Sequence, residues 1–387
     1  VFFCGESVQM KIIHTSDWHL GKRLEGVSRL KEQQAALESL LSYIKKEKID
    51  AVVVAGDVFD TMNPPAEAES LFYAAALEIG KNCPLIAIAG NHDNAERLSA
   101  PSGIAAACNV ALIGGMDNRR FSGAFTGGEG HISLHRNGEL VNFAVLPYPS
   151  PARMSALGYT EKADGSYAES VRAWLSICAQ GFTKTDCNIT VSHLFMNGSV
   201  RATDEAELGT AALLPISVLP QAHYTALGHV HKPQKIKGVE NAYYSGSLLA
   251  YSFDDTSEKF FNLVETSPVS VKVTQLPVSA GKKLVTASVK SFDECERALE
   301  ENEGAYVRIL YDSPEPLSAA KYASLRAHEN FVAFKNVFIS PKRKEAQLRR
   351  HRTDTELFCD FYKETKGEDP KESLVALFEQ AMRGEEL

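Results

Sequence analysis

The sequence has few features of a secreted or membrane-inserted protein. Its seven cysteines are an odd number without the paired spacing of a metal site, so we expect reduced thiols and a cytoplasmic protein. The uncharged run 98–116 is interrupted by proline and glycine and cannot form a membrane-spanning helix. Residues 1–9 lack the basic start and apolar stretch of a secretion signal. Met10 is therefore a candidate native start, with 1–9 as a leader that need not be native.

The chain also lacks an excess of positive charge, since 41 Lys and Arg residues face 49 Asp and Glu residues for a net charge of −8. This balance excludes a uniformly basic nucleic-acid-binding surface but not a local basic patch. By segment, the charge is −6 for 1–280 (23 basic, 29 acidic), +4 for 281–352 (14 basic, 10 acidic) and −6 for 353–387 (4 basic, 10 acidic). The basic segment ends in Lys342, Arg343, Lys344, Arg349, Arg350 and Arg352. These side chains are candidates for phosphate contacts, with a solvated charged face as the alternative.

From Met10 onward, short β-branched runs alternate with segments of helical periodicity. MKIIHTSD and AVVVAGD predict strands, and between them Leu37, Leu40, Leu41 and Ile44 share one face of a predicted helix. A second helix over about 67–80 leads into a third strand, LIAIAGNHD. This βαβαβ pattern predicts a largely parallel sheet covered by helices. Each strand runs into a polar cluster, and ligands of open α/β sheets bind beyond the carboxyl ends of the strands.

The middle of the chain predicts a second sheet. The Gly-rich stretch 114–130 has no strand-to-helix context, so we interpret it as loop and turn rather than as a nucleotide-binding loop. Further apolar runs follow near 141, up to His193, up to His231, near 245 and from Phe260. Since no helical pattern is evident between them, a mixed or antiparallel sheet is expected.

The last third of the chain predicts smaller elements. The segment SAGKK at 279–283 is typical of a linker, and the pattern from 284 to 344 predicts a compact α+β module. Beyond 352, apolar residues recur at helical spacing without an obvious local core. We expect the stripe Leu374, Val375, Phe378 and Met382 to contact a partner.

Five polar clusters carry the candidate chemistry. They are, in order, Asp17-Trp18-His19, Gly56-Asp57, Gly90-Asn91-His92-Asp93, Ser192-His193 and Gly228-His229-Val230-His231. Any one of them alone would more often be a structural hydrogen-bonding pair. Together at predicted strand ends, their Asp, Asn and His side chains provide enough ligands for two divalent cations that share a carboxylate. Paired cations suit phosphoester hydrolysis, because they activate the attacking water and neutralise transition-state charge.

The other histidines are predicted to be structural or to lie on the surface. They are His14, His131, His135, His223, His328 and His351. By strand alternation His14 points to the opposite face from Asp17, so a core position is expected. The same alternation predicts that Trp18 packs beneath the site.

The series DWH, GD, GNHD, SH and GHVH resembles the calcineurin-like metallophosphoesterase superfamily. The longer segments around these motifs are similar to those of the bacterial DNA-repair nucleases within the superfamily. They are HTSDWHLG, VVAGDVFDTMNPP, AGNHD and ALGHVHKPQ. The likeness is strong from Met10 to about Phe260. It implies a four-layer α/β/β/α sandwich of two mixed sheets over 10–278, an α+β capping domain over 284–344 that positions DNA, and C-terminal helices over 353–387 that bind an ATPase.

The resemblance also implies roles for individual residues. One metal would be bound by Asp17, His19, Asp57 and His231, and the other by Asp57, Asn91, His193 and His229. His92 resembles the histidine that contacts the scissile phosphate and protonates the leaving oxygen. Asp93 would orient His92, although a helix N-cap role is equally compatible with the sequence.

The sequence leaves the roles of two further positions open. Some archaeal members carry a histidine three residues beyond the bridging aspartate, proposed to steer the substrate strand, whereas this chain has Asp60. The segment Ser245–Ser247, before Tyr251 and Phe253, either lines the cleft with backbone groups or is a plain turn before a buried aromatic pair.

The function implied is a Mn²⁺-dependent DNA nuclease that acts as an exonuclease on duplexes and as an endonuclease on single strands and hairpins. The implied partners are DNA, an SMC-like coiled-coil ATPase and a second copy of the chain, with 67–80 as a candidate dimer face. A phosphatase or phosphodiesterase with a non-DNA substrate on the same scaffold is the alternative. A metal-free binding scaffold is disfavoured, because all the implied ligands are present.

Overall fold

A computed structural model describes residues 9–115, 124–128, 130–136, 138–156, 167–200, 213–338 and 353–382. The basic residues between 342 and 352, His351 and most of the leader lie outside this part of the chain. The described residues divide into two compact units, the first comprising those up to Val285 with Gly304–Tyr306 and the second comprising Thr286–Glu303 with those from Val307 onward.

The strands are β1 Met10–Thr15, β2 Arg23–Leu24, β3 Val27–Ser28, β4 Ala51–Val54, β5 Leu85–Ile88, β6 Val110–Ile113, β7 Phe125–Gly128, β8 His131–Arg136, β9 Glu139–Leu146, β10 Cys187–His193, β11 Tyr224–Gly228, β12 Gln234–Lys235, β13 Ala242–Tyr244, β14 Phe260–Ser267, β15 Ser270–Pro277, β16 Leu284–Val289, β17 Tyr306–Tyr311 and β18 Phe331–Asn336. The α-helices are α1 Leu30–Glu47, α2 Ala66–Asn82, α3 Ala95–Ser99, α4 Ser102–Ala106, α5 Pro151–Ala156, α6 Tyr167–Cys178, α7 Phe292–Glu300, α8 Ala319–Arg326, α9 Asp354–Lys366 and α10 Glu372–Met382.

The first unit contains two large mixed sheets. The six-stranded sheet has the order β15-β14-β1-β4-β5-β6, in which β1, β4, β5 and β6 are parallel and β14 and β15 are antiparallel. The seven-stranded sheet has the order β12-β13-β11-β10-β9-β8-β7, with a parallel centre from β13 to β9. The predicted alternation of strands and helices up to β5 is confirmed.

Three apolar layers hold these sheets and helices together. One layer packs α1 and α2 against the six-stranded sheet, with Leu40 of α1 and Phe72 of α2 fully buried in it. A second layer lies between the two sheets, and a third packs α6 against the outer face of the seven-stranded sheet. The order is therefore helix, sheet, sheet, helix, which confirms the four-layer fold. Within the first layer, α2 approaches the loop before β6 so closely that a Cβ at Gly80 would lie 2.0 Å from the Cys108 carbonyl oxygen.

Two parts of the first unit differ from the sequence-based expectation. Part of the stretch 114–130 forms the edge strand β7, where Gly127 has a φ of +116°. Helix α6 lies between β9 and β10, and this crossover makes those strands parallel rather than antiparallel neighbours. Trp174 and Leu175 of α6 are buried, so its apolar face does pack on the sheet.

The second unit has its own small core. Its three-stranded sheet, β16-β17-β18, packs with α7 and α8 around Cys295, Leu299, Val307, Ile309 and Leu325. Further along the chain, α9 begins with a capping box at Thr353 and Glu356 and ends at Gly367 in a left-handed conformation. The Phe358 ring of α9 stacks on the Phe378 ring of α10 at a centroid distance of 4.3 Å. Among the described residues, no helix combines the length and apolar character needed to cross a membrane.

Candidate metal centre

The carboxyl ends of five strands bring the predicted ligands together. Asp17 and His19 follow β1, Asp57 follows β4, and Asn91 follows β5 in the first sheet. His193 is the last residue of β10, and His229 and His231 follow β11 in the second sheet. The loops after β1 and β4 are joined by bonds from the Asp17 N–H to the Gly56 carbonyl (2.9 Å) and from the His19 N–H to the Asp57 carbonyl (3.0 Å).

These loops adopt backbone conformations that side chains rarely favour. Asp17, His19, Asp57 and His229 have φ values of 51°, 43°, 50° and 104°, in the left-handed region that costs energy for residues other than glycine. Glycines beside them allow close approach, because a Cβ at Gly90 would lie 2.0 Å from Asp57 Oδ1 and one at Gly56 would lie 2.3 Å from His193 Nδ1. The surrounding fold thus holds the ligand-bearing residues in strained positions.

One group of candidate ligands consists of Asp17, His19 and His231, all buried. Their ligand atoms lie within 4.8 Å of one another. The Nε2 atoms of His19 and His231 face each other at 3.0 Å. The Asp17 carboxylate accepts hydrogen bonds from the His229 N–H (3.0 and 3.2 Å), which fixes it beside these two rings.

The other group consists of Asn91, His193 and His229, with Asp57 between the two groups. Asn91 Oδ1 lies 2.9 Å from both His193 Nε2 and His229 Nδ1. Asp57 Oδ2 lies 3.4 Å from His193 Nε2 and 3.6 Å from His19 Nε2, so a single carboxylate adjoins both groups.

The hydrogen bonds of His193 show what this arrangement needs. The Ala55 carbonyl lies 2.8 Å from His193 Nδ1 and can only accept, so Nδ1 carries a proton. A neutral His193 therefore points its Nε2 lone pair at the oxygens of Asn91 and Asp57. Electron-rich atoms this close repel unless a proton or a cation lies among them. Carboxylate, amide and imidazole donors fit borderline divalent cations, so these residues fit a pair of such ions.

The pKa values show how strongly the buried carboxylates demand positive charge. Burial raises the pKa of Asp17 above its usual value, and the Asp57 carboxylate adds to that rise while His193 opposes it. Burial alone would also raise the pKa of Asp57, but the charge and hydrogen bond of His193, together with His19, hold it well below its usual value. Burial lowers the pKa of His193, yet the Asp57 charge outweighs that effect and raises it to about 9. In the metal-free protein, a proton on His193 thus provides part of the compensation.

His92 lies at the edge of the centre and is half-buried. Its backbone N–H donates to Asp57 Oδ1 at 2.9 Å, and its Nδ1 lies 2.7 Å from the Asp60 carbonyl. Its ring packs edge-on against His19 with a centroid distance of 4.8 Å. Because the carbonyl can only accept, Nδ1 is protonated, and Nε2 is the nitrogen available for exchange with a substrate.

Asp93 has neither of the two roles expected from the sequence, which were to orient the His92 ring or to cap the following helix. Its carboxylate accepts hydrogen bonds from the backbone N–H groups of Val58 (3.0 Å), Phe59 (2.8 Å) and Gly90 (2.8 Å), rather than from the His92 ring. The N-cap of α3 is Asn94, whose side chain accepts from the Arg97 N–H. Asp93 therefore ties the loop after β4 to the loop after β5. Burial raises its pKa to about 6, and the Asp57 charge adds to the rise.

The segment Ser245–Ser247 braces the first ligand group. Ser245 Oγ lies 2.8 Å from Ser16 Oγ, and the Ser247 N–H donates to the His231 carbonyl at 3.1 Å. The following Tyr251 is buried and packs edge-on against His19 with a centroid distance of 5.7 Å. The segment is thus both part of the centre's support and the turn before a buried aromatic residue.

Two residues beside the centre, Tyr148 and Arg153, were not identified as functional from the sequence, and the role of a third, Asp60, was left open. Half-buried Tyr148 follows β9 and packs edge-on against His193 at a centroid distance of 6.1 Å. Arg153 donates to the carbonyls of Gly90 (3.3 Å), Tyr148 (3.0 Å) and Asp93 (2.9 Å), and Asp60 approaches both His19 and His92. Tyr148 follows β9, which ends at the same edge of the sheet, so its position after a predicted strand could have indicated it. No local sequence pattern marks Arg153.

The residues expected outside the centre lie away from it in the described part of the chain. His14 is buried between the sheets, with Nδ1 2.8 Å from the Tyr224 hydroxyl and Nε2 3.2 Å from the Leu227 carbonyl. Burial lowers its pKa to about 3. Trp18 is buried in the layer between the first sheet and its helices and donates to Thr15 Oγ1 at 2.9 Å.

Comparison with known proteins places this geometry in a family. The model of the calcineurin-like phosphoesterases matches residues 10–233. The Bacillus subtilis protein named as the SbcD subunit of the nuclease SbcCD is 36% identical over 396 residues, covering 97% of this chain and 99% of that protein. The Escherichia coli K12 protein of the same name is 31% identical over 271 residues, covering 67% and 65%. The solved structure of GAP50, the anchor in the inner membrane complex of Plasmodium, covers 85% of this chain with 13% identity and a TM-score of 0.38, which is too distant to inform function.

The network of Asp93 predicts a large loss of stability on its removal. Asp93→Ala leaves buried N–H groups of two loops unpaired, so we expect the free energy of unfolding of the metal-free protein to fall by about 3 kcal/mol. Asn94→Ala removes a helix N-cap only and should cost about 1 kcal/mol. Urea unfolding followed by tryptophan fluorescence measures both, since Trp18 and Trp174 lie in the first unit. Equal losses in the two variants would contradict this account of Asp93.

Proposed function

This chain belongs to the calcineurin-like phosphoesterase family, within its SbcD branch, and from that premise we propose that it is the Mn²⁺-dependent DNA nuclease of an SbcCD-type repair complex. As a family member it is a metal-dependent phosphodiesterase. The observation that carries the proposal is the position of the buried Asp57 carboxylate between two groups of candidate ligands. A carboxylate shared in this way suits two cations acting on one phosphodiester.

The proposed ligand sets follow the two groups. Asp17, His19 and His231 would hold one cation, Asn91, His193 and His229 the other, and Asp57 both. When bound, the pair of cations would polarise the phosphodiester and activate the attacking water. Manganese is proposed from the family resemblance, and the mixed oxygen and nitrogen donors suit it. The chain's own contribution is to keep His193 Nε2 directed inward, through the bond from Nδ1 to the Ala55 carbonyl.

His92 is the proposed general acid. The Asp60 carbonyl accepts the Nδ1 proton, which leaves Nε2 to hold the proton that passes to the leaving oxygen. The Asp57 carboxylate accepts the His92 backbone N–H and so sets the distance between the ring and the shared ligand. Asp93 contributes indirectly, because it ties together the loops that carry Asp57 and His92.

The substrate is proposed to be DNA, cut from duplex ends and within single strands and hairpins. In support, the sequence resembles a relative named as a nuclease over 97% of this chain. We assign 10–278 to the nuclease domain and 284–344 to a capping domain that positions DNA. The basic residues from Lys342 to Arg352, which would contact phosphates, lie outside the described residues.

The proposed partners are an SbcC-type SMC-like ATPase and a second copy of this chain, giving a heterotetramer in the cytoplasm. We assign ATPase binding to the helices of 353–387. Phe378, expected in the contact stripe, stacks instead on Phe358 within the helix pair. The apolar side chains left exposed are Leu357, Phe361, Leu377 and Met382. On α2, proposed as the dimer face, Leu77 is exposed.

The alternative function is hydrolysis of non-DNA phosphoesters on the same scaffold. A phosphomonoester needs only a pocket, whereas DNA needs an extended surface, and the second unit supplies additional surface. A Mn²⁺-dependent assay on linear duplex, hairpin DNA and p-nitrophenyl phosphate, with and without the ATPase, separates the two. We expect DNA cleavage that is abolished by EDTA and restored by Mn²⁺. Hydrolysis of the monoester without cleavage of either DNA would favour the alternative.

Replacing the proposed general acid should separate catalysis from metal binding. His92→Gln removes the exchangeable proton but no proposed ligand, so DNA cleavage should fall about 10²–10⁴-fold. Elemental analysis should still find two metal ions per chain. Unchanged cleavage, or loss of metal, would reject this role for His92.

Replacing exposed apolar residues of the C-terminal helices with aspartate should abolish ATPase binding. We expect Phe361→Asp combined with Leu377→Asp to prevent co-purification with the SbcC-type ATPase, because charge opposes burial of these side chains (67% and 47% exposed). Cleavage of short substrates should remain. Ile104→Asp, at a 78% exposed position on α4, is the matched control and should co-purify normally. Co-purification of the double variant would contradict the assignment.

A further inference from the structure

The outer nitrogen of His19 faces a carboxylate that is not among the proposed metal ligands. His19 Nε2 points towards His231 and Asp57. Its Nδ1 lies 3.5 Å from Asp60 Oδ1. The His19 ring is fully buried, and among the described residues Nδ1 has no hydrogen-bond partner, so the Asp60 carboxylate is the polar group that it faces. A neutral imidazole carries one proton, and the nitrogen that faces a carboxylate is the one that keeps it.

Asp60 is itself held from several directions. Its Oδ1 accepts a hydrogen bond from Lys22 Nζ at 2.8 Å, and its backbone N–H donates to the Leu20 carbonyl at 3.3 Å. Its backbone carbonyl lies 2.7 Å from His92 Nδ1. The carboxylate is 22% exposed, and its ion pair with Lys22 holds it in place.

We propose that Asp60 is a positioning residue with two separable actions, and the proposal rests on the metal-dependent function given above. Its carboxylate holds the proton of His19 on Nδ1, so that the Nε2 lone pair points towards His231 and Asp57. Its backbone carbonyl holds the proton of His92 on Nδ1. One residue thereby sets the tautomers of a metal ligand and of the general acid. Such outer partners of metal-binding histidines raise ligand basicity and fix ring orientation.

The two actions predict different responses to substitution. Changing the side chain removes the partner of His19 but leaves the carbonyl that holds His92. The expected defect is therefore in metal affinity at one of two sites, and saturating metal should restore turnover. A general disturbance of the centre would instead lower turnover at every metal concentration.

The test is calorimetric titration of Mn²⁺ into the full-length, metal-free chain. The wild type should bind two ions. Asp60→Ala should bind one of them 10- to 100-fold more weakly, the range typical of lost outer partners, while the other site changes less than threefold. Asp60→Asn keeps an acceptor oxygen but not the charge. Its affinity for that ion should lie between the affinities of the wild type and of Asp60→Ala. Lys22→Met, which removes the salt bridge but leaves the carboxylate facing His19, should change either affinity less than threefold.

A parallel measurement of DNA cleavage against Mn²⁺ concentration completes the test. For Asp60→Ala we expect a higher half-saturating Mn²⁺ concentration with kcat within about threefold of wild type, and circular dichroism controls for folding. Two unchanged sites in Asp60→Ala, or a kcat that stays low at saturating Mn²⁺, would overturn the proposal. Absence of Mn²⁺ binding by the wild type would instead overturn the proposed function.

Discussion

Electron-rich atoms face one another at the centre of this protein, and the rest of the first unit serves to hold them there. His193 Nε2 lies within 3.4 Å of oxygens from Asn91 and Asp57, and the Nε2 atoms of His19 and His231 are 3.0 Å apart. In a buried site, a neutral His193 whose Nε2 lone pair faces these oxygens is unfavourable without intervening positive charge. A proton on His193 compensates in part, and two divalent cations would compensate fully. The attraction for cations thus follows from the way the two sheets bring their strand ends together.

Maintaining this arrangement requires hydrogen bonds between loops from different strands. Asp93 ties the loop after β4 to the loop after β5, and Arg153 fixes the latter loop to the end of β9. Ser245 and Ser247 do the same for the loops that carry Asp17 and His231. These contacts explain how Asp17, Asp57 and His229 keep left-handed backbone conformations that would relax in isolation. Stability and chemistry therefore depend on the same few polar side chains.

The sequence predicted which residues would meet at the centre, because each lies at or just after the end of a strand, and the ends of parallel strands meet at one edge. It predicted the role of Asp93 poorly, since hydrogen bonds to Val58 and Phe59 depend on how two loops approach in space. Helix α6 was missed although its buried residues Val171, Trp174, Leu175 and Cys178 recur at helical spacing, and β7 was missed because its glycines resemble a turn. Helical spacing alone also does not show that Phe378 of α10 stacks on Phe358 of α9. The local sequence pattern identifies the candidate metal ligands, whereas the residues that hold them in place are evident only in the folded chain.

The most direct test of this account is anomalous diffraction from crystals of the protein grown with Mn²⁺. The account predicts two peaks, one among Asp17, His19 and His231 and the other among Asn91, His193 and His229, with Asp57 contacting both. A single peak, or a peak that Asp57 does not contact, would contradict the claim that a shared carboxylate organises this centre.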